Sequence, residues 1–551
     1  MYSYLFRGAS LIDGSGSPPC RADVAVAGGR IAAVGPDLAG TAERVVNADG
    51  LALAPGFIDI HGHSDMTLFK HPLLESKLFQ GVTTEVIGNC GLGLFPVRKG
   101  NGQELADYLG LHDFSLPGEG ICWNDLAGYA GRVERNGLGI HVAPLVGHAP
   151  LRIAAMGMEE RSPTAAELER MQHMLAEALR QGAWGMSTGL IYPPGSYAAT
   201  EELISLAGIL ARHGALYSSH IRGESEELVR ALDEAIAIGM ASGARVQVSH
   251  LKALGSSNRG QGKELLARLA RARATGVDLG ADQYPYHASA TTLTAMVPQW
   301  AHAGGVQALL GRLADPTLWE ELQGRIGSEM ARREGAGGIM VTGCRTERNQ
   351  RLSGETVARI ADEWGCLPEA AVMRLILEEE GRVGAMFFSM AEEDVATILA
   401  DPLVAVGSDG HGLNAAREAG DTTHPRSYGT FPRVLGRYVR EEKLLSLASA
   451  IHKMTLLPAR RLGFRNRGLV APGYAADLVF FDPLTVADLS TYADPHRYAS
   501  GIIHLLVDGR PVVWDGTLTG ERPGRVLRKA PPSSGLRPPS PSGRRNRIKW
   551  K

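Results

Sequence analysis

Two histidines separated by a single residue end an apolar run near the start of the chain. The run covers residues 56–60 and is followed by His61-Gly62-His63. Side chains two positions apart on a β-strand point to the same face, so both imidazoles can reach one metal ion. Two surface histidines beside a turn would give the same pattern, so the pair needs support from the rest of the chain.

Three further apolar runs end in a residue of a type that binds metals. These residues are His220, His250 and Asp409. Imidazole nitrogens and carboxylate oxygens are common ligands of Zn²⁺. If the runs are strands whose ends converge, the four run ends together predict a metal site.

The composition indicates a protein that can bury a large core. The chain has 551 residues, of which 44% are apolar and 21% are charged, and it is longer than one average domain. Its 57 basic and 59 acidic residues nearly cancel. This balance argues against nucleic acid or an anionic membrane as the main partner and favours a small-molecule substrate. Composition carries no signal for the oligomeric state.

Targeting and redox signals predict a cytoplasmic protein. The first residues show no signal peptide, and no apolar run approaches the roughly 20 residues that span a bilayer. The five cysteines are odd in number and scattered, which does not fit a disulfide framework. A cysteine is therefore available as a metal ligand.

Short alternating runs with Gly and Asp turns occupy both ends of the chain. Residues 1–54 and 466–528 share a period-2 pattern with glycine punctuation, which is typical of short β-strands. We therefore expect one small β-sandwich domain built from both ends.

Between these ends, apolar runs alternate with helical patterns. Repeated βα units predict a parallel sheet covered by helices. The candidate buried strands lie near residues 55–61, 82–88, 139–145, 184–188, 215–220, 245–250, 276–283 and 403–409. Eight strands predict a closed (β/α)₈ TIM-like barrel, whose active site lies at the carboxyl ends of the strands. The ligand candidates stand at those ends.

The barrel is predicted to cover residues 55–465. The interval of about 290–400 is too long for one crossover, so we expect a small insertion near the barrel mouth. Residues 529–551 are rich in Pro, Ser and basic residues and predict a disordered tail. A solvated extension without a partner explains this tail more simply than contact with nucleic acid or lipid.

Seven segments in this order resemble those of the N-acyl-D-amino-acid deacylases, the D-aminoacylase branch of the amidohydrolase superfamily. The segments are Pro55–Asp65, Gly81–Gly91, Gly185–Gly195, Ser219–Glu224, Val248–Lys252, Gly407–Gly410 and His424–Pro432. The resemblance runs from about residue 3 to about residue 527. It implies a metal-dependent hydrolase barrel that cleaves N-acyl-D-amino acids to a carboxylate and a free D-amino acid.

The resemblance also implies zinc as the cofactor. A metal ion polarises the acyl carbonyl and lowers the pKa of bound water from about 15.7 to roughly 7, which supplies hydroxide at neutral pH. Residues that match the family's tight zinc site are Cys90, His220 and His250. Residues that match a second, weaker metal position are His61, His63 and Asp409. A Cys-His-His set leaves a fourth coordination place for water, which is the catalytic pattern.

Asp409 is implied to be the general base that takes a proton from water and delivers it to the leaving amine. The alternative is an aspartate that caps the next turn. Arg426 matches the cation that binds the substrate α-carboxylate, for which a planar guanidinium is suited. Lys252 matches another substrate contact of the family. It lies two residues beyond His250 and is therefore expected on the same strand face.

Two tyrosines, Tyr192 and Tyr284, match aromatic positions that hydrogen-bond the substrate, although Tyr286 competes with Tyr284. The spacing between Asp409 and Arg426 is longer than the family pattern, which leaves the side-chain preference open. One alternative function is a related amidohydrolase that acts on cyclic amides or on peptides ending in a D-residue. A scaffold that has lost catalysis is a second alternative, but all six candidate ligands are present.

Overall fold

The computed structural model describes residues 1–100, 102–112, 114, 116–416 and 422–530. The expected disordered tail lies outside these ranges from residue 531 onward, and so does part of the long loop after Asp409, at residues 417–421. Among the helices in the described ranges, none combines the length and apolar character needed to cross a membrane.

The N-terminal residues form five strands of an outer sheet. The strands are β1 (Tyr2–Leu11), β2 (Cys20–Ala27), β3 (Arg30–Gly35), β4 (Ala42–Asn47) and β5 (Ala52–Pro55). Alternation along the strands directs Phe6, Val24 and Leu53 into a core that belongs to this sheet. The period-2 pattern of the sequence is therefore a pattern of burial.

Seven barrel strands follow, and successive strands pair in parallel. They are β6 (Phe57–Asp59), β7 (Val82–Ile87), β8 (His141–Gly147), β9 (Gly185–Gly189), β10 (Leu216–His220), β11 (Arg245–Val248) and β12 (Leu279–Gln283). The helices among them are α1 (Glu75–Leu78), α2 (Gly102–Gly110), α3 (Leu126–Asn136), α4 (His148–Met156), α5 (Ala165–Arg180), α6 (Thr200–Arg212), α7 (Leu228–Ser242) and α8 (Gly262–Ala274). Helix α5 begins with a capping box in which Thr164 and Glu167 satisfy each other's backbone N–H groups.

The insertion forms a three-stranded antiparallel sheet with a core of its own. Its strands are β13 (Ser289–Thr292), β14 (Ile339–Gly343) and β15 (Gly384–Phe387), and its helices are α9 (Val306–Ala314), α10 (Trp319–Arg332), α11 (Val357–Trp364) and α12 (Pro368–Glu378). Leu309, Ile326 and Val341 lie in that core. The next helix, α13 (Glu392–Ala400), places Ile398 and Leu399 in the barrel core instead.

The last barrel strand, β16 (Val404–Val406), pairs with β12. At the other edge, the Asp409 N–H donates to the His61 carbonyl over 2.6 Å, and a parallel bridge joins Gly62 to Gly410. These contacts bring the first and last strands together at their carboxyl ends. The helices that follow are α14 (Arg426–Arg433), α15 (Leu447–Met454) and α16 (Leu456–Leu462), with a π-helix at Val434–Glu441 between the first two.

The chain then returns to the outer sheet. Its strands β17 (Leu478–Phe481), β18 (Ile502–Val507), β19 (Arg510–Trp514) and β20 (Thr517–Leu518) complete nine strands, with β17 beside β5. An eight-stranded parallel barrel with additional sheets confirms the predicted fold class.

The residues after β20 go back to the barrel rather than staying with the outer sheet. The Leu527 N–H donates to the Val142 carbonyl over 2.8 Å, and the Trp184 indole N–H donates to the Leu527 carbonyl over 2.7 Å. Lys529 also bonds the backbone of Gly182. This C-terminal segment, residues 523–529, therefore covers the amino-terminal side of the strands that it contacts.

Candidate active site

The predicted ligands stand at the ends of short barrel strands or just past them. His220 is the last residue of β10, whereas β6 ends at Asp59 and β11 ends at Val248. The prediction that His61 and His63 share a strand face is therefore wrong, and so is the same argument for Lys252. The turn beyond β6 brings the two imidazoles together instead, since their ring centroids lie 5.4 Å apart.

Three of the predicted ligands adopt a left-handed backbone. The φ angles are +54° at Cys90, +35° at His250 and +49° at Asp409. Such a conformation costs a non-glycine residue on the order of 1–3 kcal/mol and persists only where the surrounding structure imposes it. Here the turns direct the three side chains from the strand ends toward one buried centre.

Cys90, His220 and His250 bring their ligand atoms together. The His250 Nε2 atom lies 3.4 Å from the Cys90 Sγ atom and 2.9 Å from the His220 Nδ1 atom. All three side chains are buried. One sulfur and two imidazole nitrogens make the mixed donor set that Zn²⁺ accepts in a tetrahedral site.

His61, His63 and Asp409 form a second group next to the first. The Asp409 Oδ1 atom lies 3.3 Å from His61 Nε2 and 3.0 Å from His63 Nε2. The Cys90 Sγ atom is 3.4 Å from His61 Nε2. Ligand atoms of Cys90, His61, His250 and Asp409 all lie within 4.8 Å of one another. The thiol therefore stands between the two groups, where one sulfur can serve both metal positions.

The electrostatics of the cluster keep its thiol and its carboxylate ionised. Burial by itself would raise the pKa of the Cys90 thiol, but the charges of His61 and His250 hold it well below its usual range. Burial would likewise raise the pKa of Asp409, whereas Arg426 and the histidines hold it well below its usual range. Both groups are therefore anionic, which is the state in which they bind metals.

Two carboxylates that the sequence analysis missed lie beside the histidines. The His61 Nδ1 atom lies 2.9 Å from Asp282 Oδ1, and the His250 Nδ1 atom lies 3.2 Å from Glu224 Oε1. At His61, the carboxylate that accepts the Nδ1 proton leaves Nε2 with its lone pair toward the cluster. At His250, the Lys252 ammonium lies closer to Nδ1, at 2.7 Å, and also donates to Glu224. Asp282 lies near the end of the predicted strand 276–283, and this position was the available signal. Glu224 belongs to the resembling segment that contains His220.

A cavity of about 690 Å³ opens onto these groups. Its lining includes Cys90, His220, His250, His63 and Asp409. His61 is fully buried behind them. All four predicted substrate contacts also line the cavity, namely Arg426, Lys252, Tyr192 and Tyr284.

Arg426 begins helix α14 and extends its guanidinium across the cavity. Its Nη1 atom lies 2.6 Å from Asp409 Oδ2, and its Nη2 group donates to the Ala290 carbonyl over 3.2 Å. The guanidinium carbon is 4.8 Å from the centre of the Tyr284 ring. The longer loop before it leaves Arg426 at the cavity, directly beside the predicted general base.

The remaining predicted contacts surround the same space. The Lys252 ammonium donates to Glu224 Oε1 over 2.5 Å, which ties it to the carboxylate beside His250. The Tyr192 hydroxyl lies 2.8 Å from Thr291 Oγ1 of the insertion. Tyr286, the competitor of Tyr284, donates its hydroxyl proton to Asp488 over 2.8 Å. Of these two tyrosines, only Tyr284 is among the described residues that line the cavity.

Comparison with known proteins places the chain in a family. The model of the amidohydrolase family matches residues 44–513. N-acyl-D-glutamate deacylase from Alcaligenes xylosoxydans xylosoxydans is 39% identical over 95% of this chain and 96% of its own length. Coverage of this extent includes the barrel and both ends of the outer sheet.

Solved structures agree with that result. The crystal structure of N-acyl-D-glutamate deacylase from Bordetella bronchiseptica, complexed with zinc and a phosphonate mimic of the tetrahedral intermediate, superposes with a TM-score of 0.80. It is 39% identical and covers 96% of this chain and 99% of that chain. A D-aminoacylase studied for its binuclear metal centre gives a TM-score of 0.81 at 37% identity, with coverage of 96% and 100%. The chain therefore belongs to the amidohydrolase family, in the branch of the D-aminoacylases and N-acyl-D-amino-acid deacylases.

Proposed function

We propose that this protein hydrolyses the amide bond of N-acyl-D-amino acids to a carboxylate and a free D-amino acid, with Zn²⁺ as cofactor. The observation that carries the proposal is the convergence of Cys90, His220 and His250 in a cavity that also holds Asp409 and Arg426. Cys90, His220 and His250 would hold the tight zinc. His61, His63 and Asp409 would contribute to a weaker position.

Bound zinc supplies a Lewis acid for the acyl carbonyl and water of lowered pKa. Asp409 accepts the proton of the attacking water at a carboxylate oxygen and delivers it to the leaving nitrogen, which departs as an amine. The low pKa of Asp409 supports this role because it keeps the carboxylate ionised before the reaction.

Arg426 would bind the α-carboxylate of the substrate through its planar guanidinium. Its position beside Asp409 supports this assignment, since the α-carbon of an N-acyl amino acid carries both the carboxylate and the reacting nitrogen. Lys252, Tyr192 and Tyr284 would complete the contacts around the α-carbon.

We also propose a cytoplasmic location and a small-molecule substrate without a nucleic-acid partner. No disulfide joins any of the five cysteines, all of which lie among the described residues, as expected in a reducing compartment. The near-neutral charge balance provides no electrostatic basis for binding nucleic acid.

Two alternatives remain from the sequence, and one panel of substrates separates them. N-acetyl-D- and N-acetyl-L-methionine, leucine, glutamate and aspartate are assayed for amine release, together with hydantoins and peptides ending in a D-residue. We expect turnover of the D-amides. Preferential turnover of the cyclic amides or peptides would support the related amidohydrolase, and a zinc-loaded protein inactive on the whole panel would support the scaffold.

A further inference from the structure

One fully buried lysine lies beneath the metal cluster and has no place in the proposed chemistry. Lys77 belongs to the short helix α1 and has no exposed surface. Its ammonium donates to Asp59 Oδ2 over 2.7 Å and lies 3.5 Å from Glu85 Oε1. Lys77 is absent from the described lining of the cavity, so it is not placed to touch substrate.

The same ammonium reaches the backbone on both sides of Asp409. It donates to the Ser408 hydroxyl over 2.7 Å and to the Gly410 carbonyl over 3.1 Å. Asp409 itself has the left-handed φ of +49°, which its neighbours must maintain. Lys77 therefore contacts the residues that hold the general base in an unfavourable backbone conformation.

The partners of Lys77 extend these contacts to the two histidines of the second group. Asp59 Oδ1 accepts from the backbone N–H groups of His61 and Ser408, over 3.2 Å and 2.9 Å. Glu85 Oε1 accepts from the Ser64 N–H over 3.0 Å. Lys77, Asp59 and Glu85 thus form one network. A Cβ at Gly62, which lies between the histidines, would overlap the Glu85 carboxylate, so Gly62 packs directly on this network.

The network serves one half of the metal cluster. It joins the ends of β6 and β16, which precede His61, His63 and Asp409, and it reaches β7 through Glu85 alone. His220 ends β10 and His250 follows β11, and the carboxylate beside both is Glu224, 3.7 Å from His220 Nε2 and 3.2 Å from His250 Nδ1. A defect at Lys77 should therefore act on Asp409 and the second metal position before it acts on the tight zinc.

We propose that Lys77 is a positioning residue that fixes the Asp409 carboxylate relative to His61 and His63 by holding Ser408 and Gly410 against the end of β6. The expected effect on kcat rests on the proposed function. The expected effect on zinc binding does not depend on the substrate.

The test compares Lys77→Met with Lys453→Met. Lys453 is a matched control because it is also buried and donates to the Val404 carbonyl over 2.8 Å, at the opposite end of β16. Both substitutions leave a buried polar group unpaired, and Lys77→Met also leaves Asp59 and Glu85 without their cation. Global stability, measured by thermal unfolding, is therefore recorded for both variants.

Each variant is assayed with one zinc per chain on the best N-acetyl-D-amino acid. We expect Lys77→Met to lower kcat about 10- to 100-fold with KM changed less than about threefold, because loss of a residue that supports a metal ligand costs 10–100-fold in activity or metal affinity. Lys453→Met should keep kcat. In calorimetric titration with zinc, Lys77→Met should weaken the second equivalent at least about tenfold and leave the first unchanged.

Equal kcat and equal zinc affinities in the two lysine variants would overturn the proposal. If Lys77→Met does not fold, Ser408→Ala removes the hydroxyl that contacts Lys77 and Asp59, and loss of kcat with tight zinc retained is again expected. A folded Ser408→Ala enzyme with wild-type kcat and wild-type affinity for the second zinc would also overturn it.

If the wild type binds only one zinc, the change in kcat alone decides. A wild type that hydrolyses no amide while Lys77→Met still weakens the second zinc would contradict the proposed function and retain the positioning role.

Discussion

At the scale of a single residue, Asp409 contacts both the histidines of the metal cluster and the arginine proposed to bind the substrate. One carboxylate oxygen faces His61 and His63, and the other lies 2.6 Å from Arg426. These neighbours outweigh the effect of burial and hold the pKa of Asp409 well below its usual range. A substrate carboxylate that engages Arg426 would weaken one of these attractions, and the pKa of Asp409 would then move up toward that of a more effective base.

Replacement of Asp409 by asparagine tests its role directly. Asp409→Asn keeps the size of the side chain but removes the proton acceptor, so we expect kcat to fall by roughly 10²- to 10⁴-fold. The tight zinc should remain, because Cys90, His220 and His250 are untouched. Steady-state kinetics and elemental analysis check both expectations. A kcat within about threefold of wild type would assign the base to another residue.

Cys90 should determine whether the tight zinc is held at all. Cys90→Ala removes the only sulfur of the cluster, and we expect purified protein to lose its zinc. Cys344→Ala is the matched control, since Cys344 is also buried and lines the same cavity. Metal analysis of the two variants should show zinc only in the control. Unchanged zinc in Cys90→Ala would remove Cys90 from the site.

Arg426 should set the acid limb of the pH profile. Because its charge lowers the pKa of Asp409, Arg426→Ala raises that pKa, and the fraction of ionised Asp409 at low pH decreases. We therefore expect the acid limb of kcat/KM to move to higher pH, together with a lower maximum. Arg433→Ala is the control, because Arg433 lies on the same helix and contacts Asp488 and Tyr286 instead. An acid limb at the same pH in wild type and Arg426→Ala would contradict this electrostatic role.

At the scale of elements, turns rather than strands aim the ligands. The barrel strands end two or three residues before His61, His250 and Asp409, and the backbone of the latter two is left-handed. The strands themselves are held by packing on both faces, and the C-terminal segment adds backbone hydrogen bonds to Val142 of β8 and to Gly182, which precedes β9. Val526 of that segment is buried in the main core.

Deletion of the C-terminal segment should destabilise the barrel. A chain that stops after Gly520 loses the burial of Val526, worth about 1.5–3 kcal/mol for a fully buried side chain, and the bond to Trp184. We expect its melting midpoint to drop by several degrees. A chain that stops after Ala530 retains every described contact of the segment and should melt as wild type does. Equal midpoints in the two truncated chains would show that the segment adds no stability.

At the scale of the whole molecule, the cavity is shared by three parts of the fold. The barrel supplies the metal cluster, α14 supplies Arg426, and the insertion supplies Ala290 and Thr291, which bond Arg426 and Tyr192. His424 strengthens the junction, since its Nε2 atom lies 2.9 Å from the Ala288 carbonyl. Under the proposed function, the relative placement of these parts would determine which substituents of the substrate α-carbon fit.

This shared construction predicts chiral selectivity. If the acyl carbonyl is held at the metal cluster and the carboxylate at Arg426, as proposed, the two enantiomers exchange the positions of hydrogen and side chain. A misplacement of about 1 Å at the reacting centre can cost about 10²-fold in rate. We expect a D over L preference in kcat/KM of at least about 10²-fold, or about 2.7 kcal/mol in transition-state binding. Comparable turnover of the N-acetyl-D and N-acetyl-L forms of methionine, leucine and glutamate would refute the assignment.

The sequence by itself predicted the (β/α)₈ barrel and the six candidate ligands. His61, His63, His220, His250 and Asp409 close apolar runs, which is local information that survives without knowledge of the fold, whereas Cys90 was predicted only through the resemblance to a known family. The approximate position of all eight strands could be predicted for the same reason, because buried parallel strands are continuous apolar runs bounded by turns.

Only the tertiary structure decided how those ligands are held. Asp282 contacts His61, Glu224 contacts His250, and Lys77 contacts Ser408, and the two residues of each pair are far apart in the chain. Contacts of this kind leave no periodic pattern in the sequence. The choice of Tyr284 over Tyr286 as a cavity residue depends on where Asp488 of the C-terminal half packs. The return of residues 523–529 to the barrel was likewise unpredictable, because its backbone bonds to Val142 and Gly182 require no particular side chains.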